Sequence, residues 1–200
     1  MSDKNVEFSK ELLKPEVMLK LYAKGAFPMA DEKTRLISWY LPETRCIIPL
    51  DNFNIPRSVK KIIDKEYFDF RFNTDFLTIV KGCADREQTW ISDELIEAYL
   101  RLFNQGNIQT VETWKDGALV GGLYGVNYHG AFFGESMFSK VPQASKAALV
   151  KLILHLKEHN FVLLDVQYMT DHLKMFGAIE ISWEDFDKRL QDAFLQDCQF

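Results

Sequence analysis

Cysteine is scarce in this chain. Cys46, Cys83 and Cys198 are the only three, odd in number and far apart. They cannot form a disulfide framework, and they give neither a C-x-x-C pair nor a zinc pattern, so reduced thiols in a cytosolic protein are expected. Uninterrupted apolar runs are missing too: none approaches the ~18 residues of a membrane span. The stretch from Met1 to Glu7 lacks the apolar centre of a signal peptide. A cytoplasmic protein with no membrane partner is therefore expected. Positive charge is in deficit, with a formal net charge of −5, which argues against nonspecific coating of nucleic acid but leaves room for a local basic patch. His155 and His159 stand four apart, yet His-Leu-Lys-Glu-His is not H-E-x-x-H and no third ligand follows, so no metal is expected.

Aromatic residues are abundant, sixteen phenylalanines among them, and suit a packed interior or an apolar pocket. Two hundred residues allow one core with a small lead-in part. A helix is expected from Val6 to Tyr22, then a turn at Lys24–Met29 and short strands at Ile37–Tyr40 and Arg45–Leu50. A helix from Arg57 leads to a strand at Tyr67–Phe72. Asn73 or Thr74 can cap a helix reaching Gly82, and Ser92 caps another ending near Gly106. Three alternating segments, Ile108–Trp114, Leu119–Asn127 and Ala131–Met137, turn at Asp116-Gly117 and His129-Gly130 as a meander. A helix from Ser145 and a strand at Phe161–Gln167 complete a strand–helix–strand unit, whose strands should be parallel with a right-handed crossover. A short helix from Asp171, a turn at Gly177-Ala178 and a polar final helix follow. The order describes an α+β fold with a cleft between splayed strands, as in the acetyltransferase (GNAT-type) architecture. A small N-terminal domain, residues 1–45, precedes the main one, 46–200.

Two apolar strands carry polar residues that are costly to bury unpaired: Gly134-Glu135-Ser136-Met137-Phe138-Ser139 and Leu163-Leu164-Asp165-Val166-Gln167. Strand alternation projects Asp165 and Gln167 to one face and Val166 to the other. The crossover is expected to place Glu135 and Asp165 on neighbouring strands. On the helix from Pro56, Arg57, Lys60, Lys61 and Lys65 share one side, the one basic patch evident.

An ordered series of motifs follows. It comprises Tyr22-Ala23-Lys24-Gly25-Ala26-Phe27-Pro28, Trp39-Tyr40-Leu41-Pro42-Glu43-Thr44-Arg45, Ile55-Pro56-Arg57-Ser58, Gly82-Cys83-Ala84 and Thr89-Trp90-Ile91. It continues through Leu119–Val126, Gly134–Ser139, Ala144-Ser145-Lys146, Leu164–Gln167, Asp171-His172 and Gly177-Ala178. In this order and spacing the chain resembles the leucyl/phenylalanyl-tRNA–protein transferase family. The resemblance implies transfer of Leu or Phe, less readily Met, from aminoacyl-tRNA to the α-amino group of proteins beginning with Arg or Lys, marking them for degradation. A monomer that needs no cofactor is expected. Carried over residue by residue, it assigns Asp165 and Gln167 to the acceptor amine and Glu135 to the acceptor's surroundings. It places Met137, Leu149, Leu152 and Leu164 around the aminoacyl side chain. Trp39, Tyr40 and Trp90 fall near the 3′-terminal adenosine, and Arg57, Lys61 and Lys65 on the tRNA backbone.

An aminoacyl ester is already activated, so the chemistry asks for positioning, an unprotonated amine and a stabilised oxyanion. An amide is no base. The Gln167 carbonyl oxygen is expected to accept a hydrogen bond from the amine, with Asp165 orienting the amide and lending negative charge. Two other classes compete. An acetyl-CoA-dependent N-acetyltransferase would need a glycine-bearing loop before the crossover helix to hold pyrophosphate, and Val141–Ala147 has no glycine. A non-catalytic module binding tRNA ends or basic N-termini would not need Asp165, Gln167 and Glu135 together.

Overall fold

The computed structural model describes residues 10–200. Of the expected first helix, Val6–Ser9 lie outside the described residues. The rest is broken into a 3-10 turn, Lys10–Leu13, and α1, Pro15–Tyr22. Proline is the cause. It suits the first helical position, where its missing N–H costs nothing, but holds Lys14 extended. The turn expected at Lys24–Met29 is shorter than read: Gly25, at φ 74°, ends it, and Phe27–Ala30 is a strand, β1. It pairs antiparallel with β2, Ile37–Tyr40.

The remaining elements run β3 (Thr44–Ile47), α2 (Arg57–Asp64), β4 (Asp69–Phe72), α3 (Phe76–Ala84) and α4 (Asp93–Asn104). The meander follows as β5 (Ile108–Lys115), β6 (Ala118–Tyr128) and β7 (Ala131–Ser139). Then come α5 (Ala144–Glu158), β8 (Leu163–Gln167), α6 (Asp171–Lys174), β9 (Ile179–Ser182) and α7 (Trp183–Phe194). The cap of α3 is Asp75, which accepts from the Thr78 N–H at 3.1 Å. Asn73 and Thr74 are both engaged elsewhere and cap nothing. Asn73 bonds Gln109 and Thr110, and Thr74 bonds the buried Glu112 carboxylate.

Seven strands form one mixed sheet in the order β4-β5-β6-β7-β8-β3-β9, an α+β architecture. Among the described residues, only the β7–β8 pairing is parallel, and α5 makes the crossover between them. β9 was not expected from the sequence. It is four residues long and mostly exposed, and its pairing with β3 is what defines it.

Successive sheet residues alternate between two cores. Phe133 and Leu163 face Tyr22, Tyr99 and Phe186 on one side, whereas Phe132 and Leu164 face Val59, Leu149 and Leu156 on the other. The small β1–β2 ribbon, through Phe27, Ile37 and Trp39, packs into the first of these cores. β3 straddles the expected boundary between residues 45 and 46.

Candidate active site

The parallel pairing of β7 and β8 is brief. Ala131, Phe132 and Phe133 align with Leu163, Leu164 and Asp165, and the pairing stops there. Beyond that point β7 stays with β6 and β8 stays with β3, and each has an irregularity where they part. On β7, Gly134 faces Gly125 while Ser136 faces Tyr124, so Glu135 is an extra residue, a bulge. On β8, Asp165 faces Ile47 and Gln167 faces Cys46, so the pairing slips at Val166. Bulges bend strands and re-aim side chains. Here two of them flank a gap between strands, and the gap is a pocket of about 440 Å³.

The inner wall of the pocket is apolar: Met137 from β7, Leu149 and Leu152 from α5, Leu164 from β8, with Leu123 and Leu173. Phe27, Met29, Trp90, Tyr124 and Tyr168 add aromatic and thioether surface. Polar groups are few: Glu135, Ser136 and Arg86 on one side, Gln167, Thr170 and His172 on the other. A half-open apolar cleft of this size with a few convergent polar groups is the usual form of a small-molecule site.

Glu135 is held by two tyrosines. The Tyr22 hydroxyl donates to one carboxylate oxygen at 2.7 Å and the Tyr99 hydroxyl to the other at 2.9 Å. Burial raises its pKa to about 7; both tyrosines oppose the rise, nearby Asp165 adds to it and Arg45 opposes it. Glu135 is therefore divided between acid and carboxylate near neutrality, not the fixed anion that its residue type suggests.

Asp165 departs from the sequence expectation. It does not line the pocket; it is fully buried and paired with Arg45, also fully buried. Arg45 donates Nε to Oδ1 at 2.8 Å and Nη2 to Oδ2 at 2.6 Å, while Nη1 donates to the Gly25 carbonyl at 2.6 Å. Its guanidinium lies between the rings of Phe27 and Phe186, 4.7 and 4.6 Å from their centroids. This planar two-point pairing takes up the charge that Asp165 was expected to lend.

Nor does Asp165 orient the Gln167 side chain. Its Oδ1 accepts the Gln167 backbone N–H at 3.0 Å. Gln167 sits at φ 56°, in the left-handed region, a conformation that costs about 1–3 kcal/mol for a non-glycine residue. Alternation fails here: Val166 and Gln167 both line the pocket and Asp165 does not. The slip at Val166 and the turned backbone of Gln167 are the physical reasons.

The other expected residues separate. Trp90 is at the pocket. Trp39 is fully buried, edge-on to Tyr22 at 5.8 Å, so it has no free ring face for a base. Tyr40 stacks behind the pocket residue Phe27 at 6.2 Å. Arg57, Lys61 and Lys65 are exposed, and Lys60 is tied to Asp64 at 2.9 Å. Three residues that carry the site were not assigned from sequence: Arg45, Tyr22 and Tyr99. Arg45 and Tyr22 stand inside the quoted motifs, which is the available signal; Tyr99 stands outside them. Burial raises the thiols of Cys46 and Cys83 to about 12, which leaves them protonated and poor nucleophiles.

A family model described as leucyl/phenylalanyl-tRNA protein transferase matches residues 47–191, and one described as the N-terminal domain of that transferase matches residues 11–43. The chain is thus a transferase. Relatives named leucyl/phenylalanyl-tRNA–protein transferase match along most of their length. One from Gloeobacter violaceus is 44% identical over 94% of this chain and 97% of its own. One from Salinibacter ruber is 42% identical over 89% and 79%, and one from Paramagnetospirillum magneticum 44% over 94% and 92%. The chain belongs to the leucyl/phenylalanyl-tRNA–protein transferase family.

Proposed function

We propose that the protein moves leucine or phenylalanine, and less readily methionine, from aminoacyl-tRNA to the α-amino group of proteins beginning with arginine or lysine. The new N-terminus marks the product for N-degron (N-end rule) proteolysis. One observation carries this reading: in a chain of this family, an apolar pocket opens between the splayed ends of β7 and β8 beside Glu135 and Gln167. Met137, Leu149, Leu152 and Leu164 surround the aminoacyl side chain. Such a wall separates aliphatic groups by only ~1–3 kcal/mol per methylene, which is consistent with tolerance of both Leu and Phe, and the flexible Met137 adapts to either.

In the transfer, the amine nitrogen attacks the ester carbonyl carbon, and the bond from that carbon to the ribose oxygen breaks. An amide forms, and a proton from nitrogen ends on the released ribose hydroxyl. Gln167 accepts a hydrogen bond from the amine through its carbonyl oxygen. Asp165, clamped by Arg45, is a positioning residue acting through the Gln167 backbone. Glu135, when ionised, faces the cationic first side chain of the acceptor. Trp90 borders the terminal adenosine, with Tyr40 behind Phe27, and Arg57, Lys61 and Lys65 meet the tRNA backbone. The meander followed by one parallel crossover supports a GNAT-type architecture for residues 46–200, with 1–45 as the N-terminal part. The protein acts as a monomer in the cytoplasm.

The test is transfer of radiolabelled leucine from Leu-tRNA to peptides that differ only at their first residue. Arg- and Lys-initiated peptides are expected to be labelled at least tenfold faster than Asp-initiated ones; equal labelling contradicts the proposed acceptor class.

A further inference from the structure

The loop that carries Trp90 is held by the β1–β2 hairpin at three consecutive carbonyls. The Arg35 guanidinium donates Nη1 to the Thr89 carbonyl and Nη2 to the Ile91 carbonyl, both at 2.9 Å. Between them, the Ala30 backbone N–H donates to the Trp90 carbonyl at 3.1 Å. Holding the peptide groups on both sides of Trp90 restricts its backbone, and hence the direction in which its side chain leaves it.

The hairpin is shaped to present Arg35. The Asp31 Oδ1 accepts from the Lys33 and Thr34 N–H groups at 3.0 and 2.7 Å and from the Thr34 hydroxyl at 2.9 Å. The turn closes as the Arg35 N–H donates to the Asp31 carbonyl and the Asp31 N–H to that of Leu36. Arg35 itself adopts φ 59°, where a non-glycine residue is strained. The same hairpin carries Phe27 and Met29, which stand beside Trp90 in the pocket. A planar fork can span two carbonyls two residues apart; a lysine ammonium cannot reproduce that fixed spacing.

We infer that Arg35 is a positioning residue for substrate binding, fixing Trp90 as the wall against which the terminal base of the tRNA rests. This rests on the reading of Trp90 given under Proposed function. A fixed aromatic wall acts in binding rather than in the acyl transfer, so its loosening falls on KM.

The experiment is a double-mutant cycle with Leu-tRNA as the varied substrate and a saturating Arg-initiated peptide, each variant being checked by its thermal melt. Trp90→Ala is expected to raise KM by about five- to hundredfold, the range for loss of one base–aromatic stack. Arg35→Ala is expected to raise it by about three- to tenfold with kcat within twofold, part of that same contact being lost. Arg35→Lys should not restore it, and in the Trp90→Ala background Arg35→Ala should add nothing. If Arg35→Ala leaves KM unchanged, or raises it equally in both backgrounds, the inference is overturned. If Trp90→Ala itself leaves KM unchanged, the adenosine reading of Trp90 is what fails.

Discussion

Glu135 is a carboxyl whose protonation is set by burial against two hydroxyl donors. Its pKa of about 7 lies above that of an unfolded glutamate, so the folded state holds a proton which the unfolded state releases. The associated stability is therefore full at acid pH, declines as pH rises above ~4.3, and is lost once pH passes 7. Urea unfolding at pH 5 and pH 8 should show this decline in the wild type and a smaller one in Glu135→Gln. Activity should have the opposite slope. If the ionised form receives a cationic acceptor, kcat/KM for an Arg-initiated peptide rises through pH 7. Glu135→Gln keeps only the limb due to the acceptor's own amine. Identical pH profiles for the two proteins would contradict the assignment.

Residue types and motif order made Glu135, Gln167, Met137, Leu149, Leu152 and Leu164 legible as a group, and all six line the pocket. Their electrostatics were not legible. The partner of Asp165 lies 120 positions earlier in the chain, and the tyrosines that hold Glu135 come from α1 and α4. Nothing local to Asp165 announces a guanidinium, and Trp39 looks the same in sequence whether buried or exposed.

At the scale of elements, the meander and the crossover could be read because alternation, a twelve-residue or longer connection and glycine turns act locally. The bulges could not. A bulge is a property of two strands in register, and neither Glu135 nor Val166 carries a local mark of one. Short strands such as β1 and β9 were likewise invisible, since their partners define them.

The joint between β3 and β8 depends on the Arg45–Asp165 pair. Replacing Arg45 by methionine keeps the aliphatic bulk but leaves a buried carboxylate unpaired, with an expected cost of about 3–5 kcal/mol. Denaturant unfolding checks this. The double variant Arg45→Met/Asp165→Leu should regain much of the stability, because no buried charge remains, yet it should lose transfer activity because the Gln167 backbone is no longer held. A double variant with wild-type activity would remove the positioning role from Asp165.

At the scale of the molecule, a chain of net charge −5 meets a polyanion, so attraction must come from a local face. The proposed face is α2, with Arg57 and Lys61 exposed on it and Lys65 exposed just past its end; α2 packs on α5, the same helix that contributes Leu149 and Leu152 to the pocket. The fold thus brings the apolar pocket, the polar residues Glu135 and Gln167 and a basic helix into one body. The central claim is that the acyl group arrives on tRNA. Its most direct measurement is labelling of an Arg-initiated substrate by the protein with radiolabelled Leu-tRNA, with and without ribonuclease pretreatment, beside a parallel reaction with labelled acetyl-CoA. Transfer from tRNA requires label from Leu-tRNA that ribonuclease abolishes, and none from acetyl-CoA. Label from acetyl-CoA alone, or from neither donor, would contradict it.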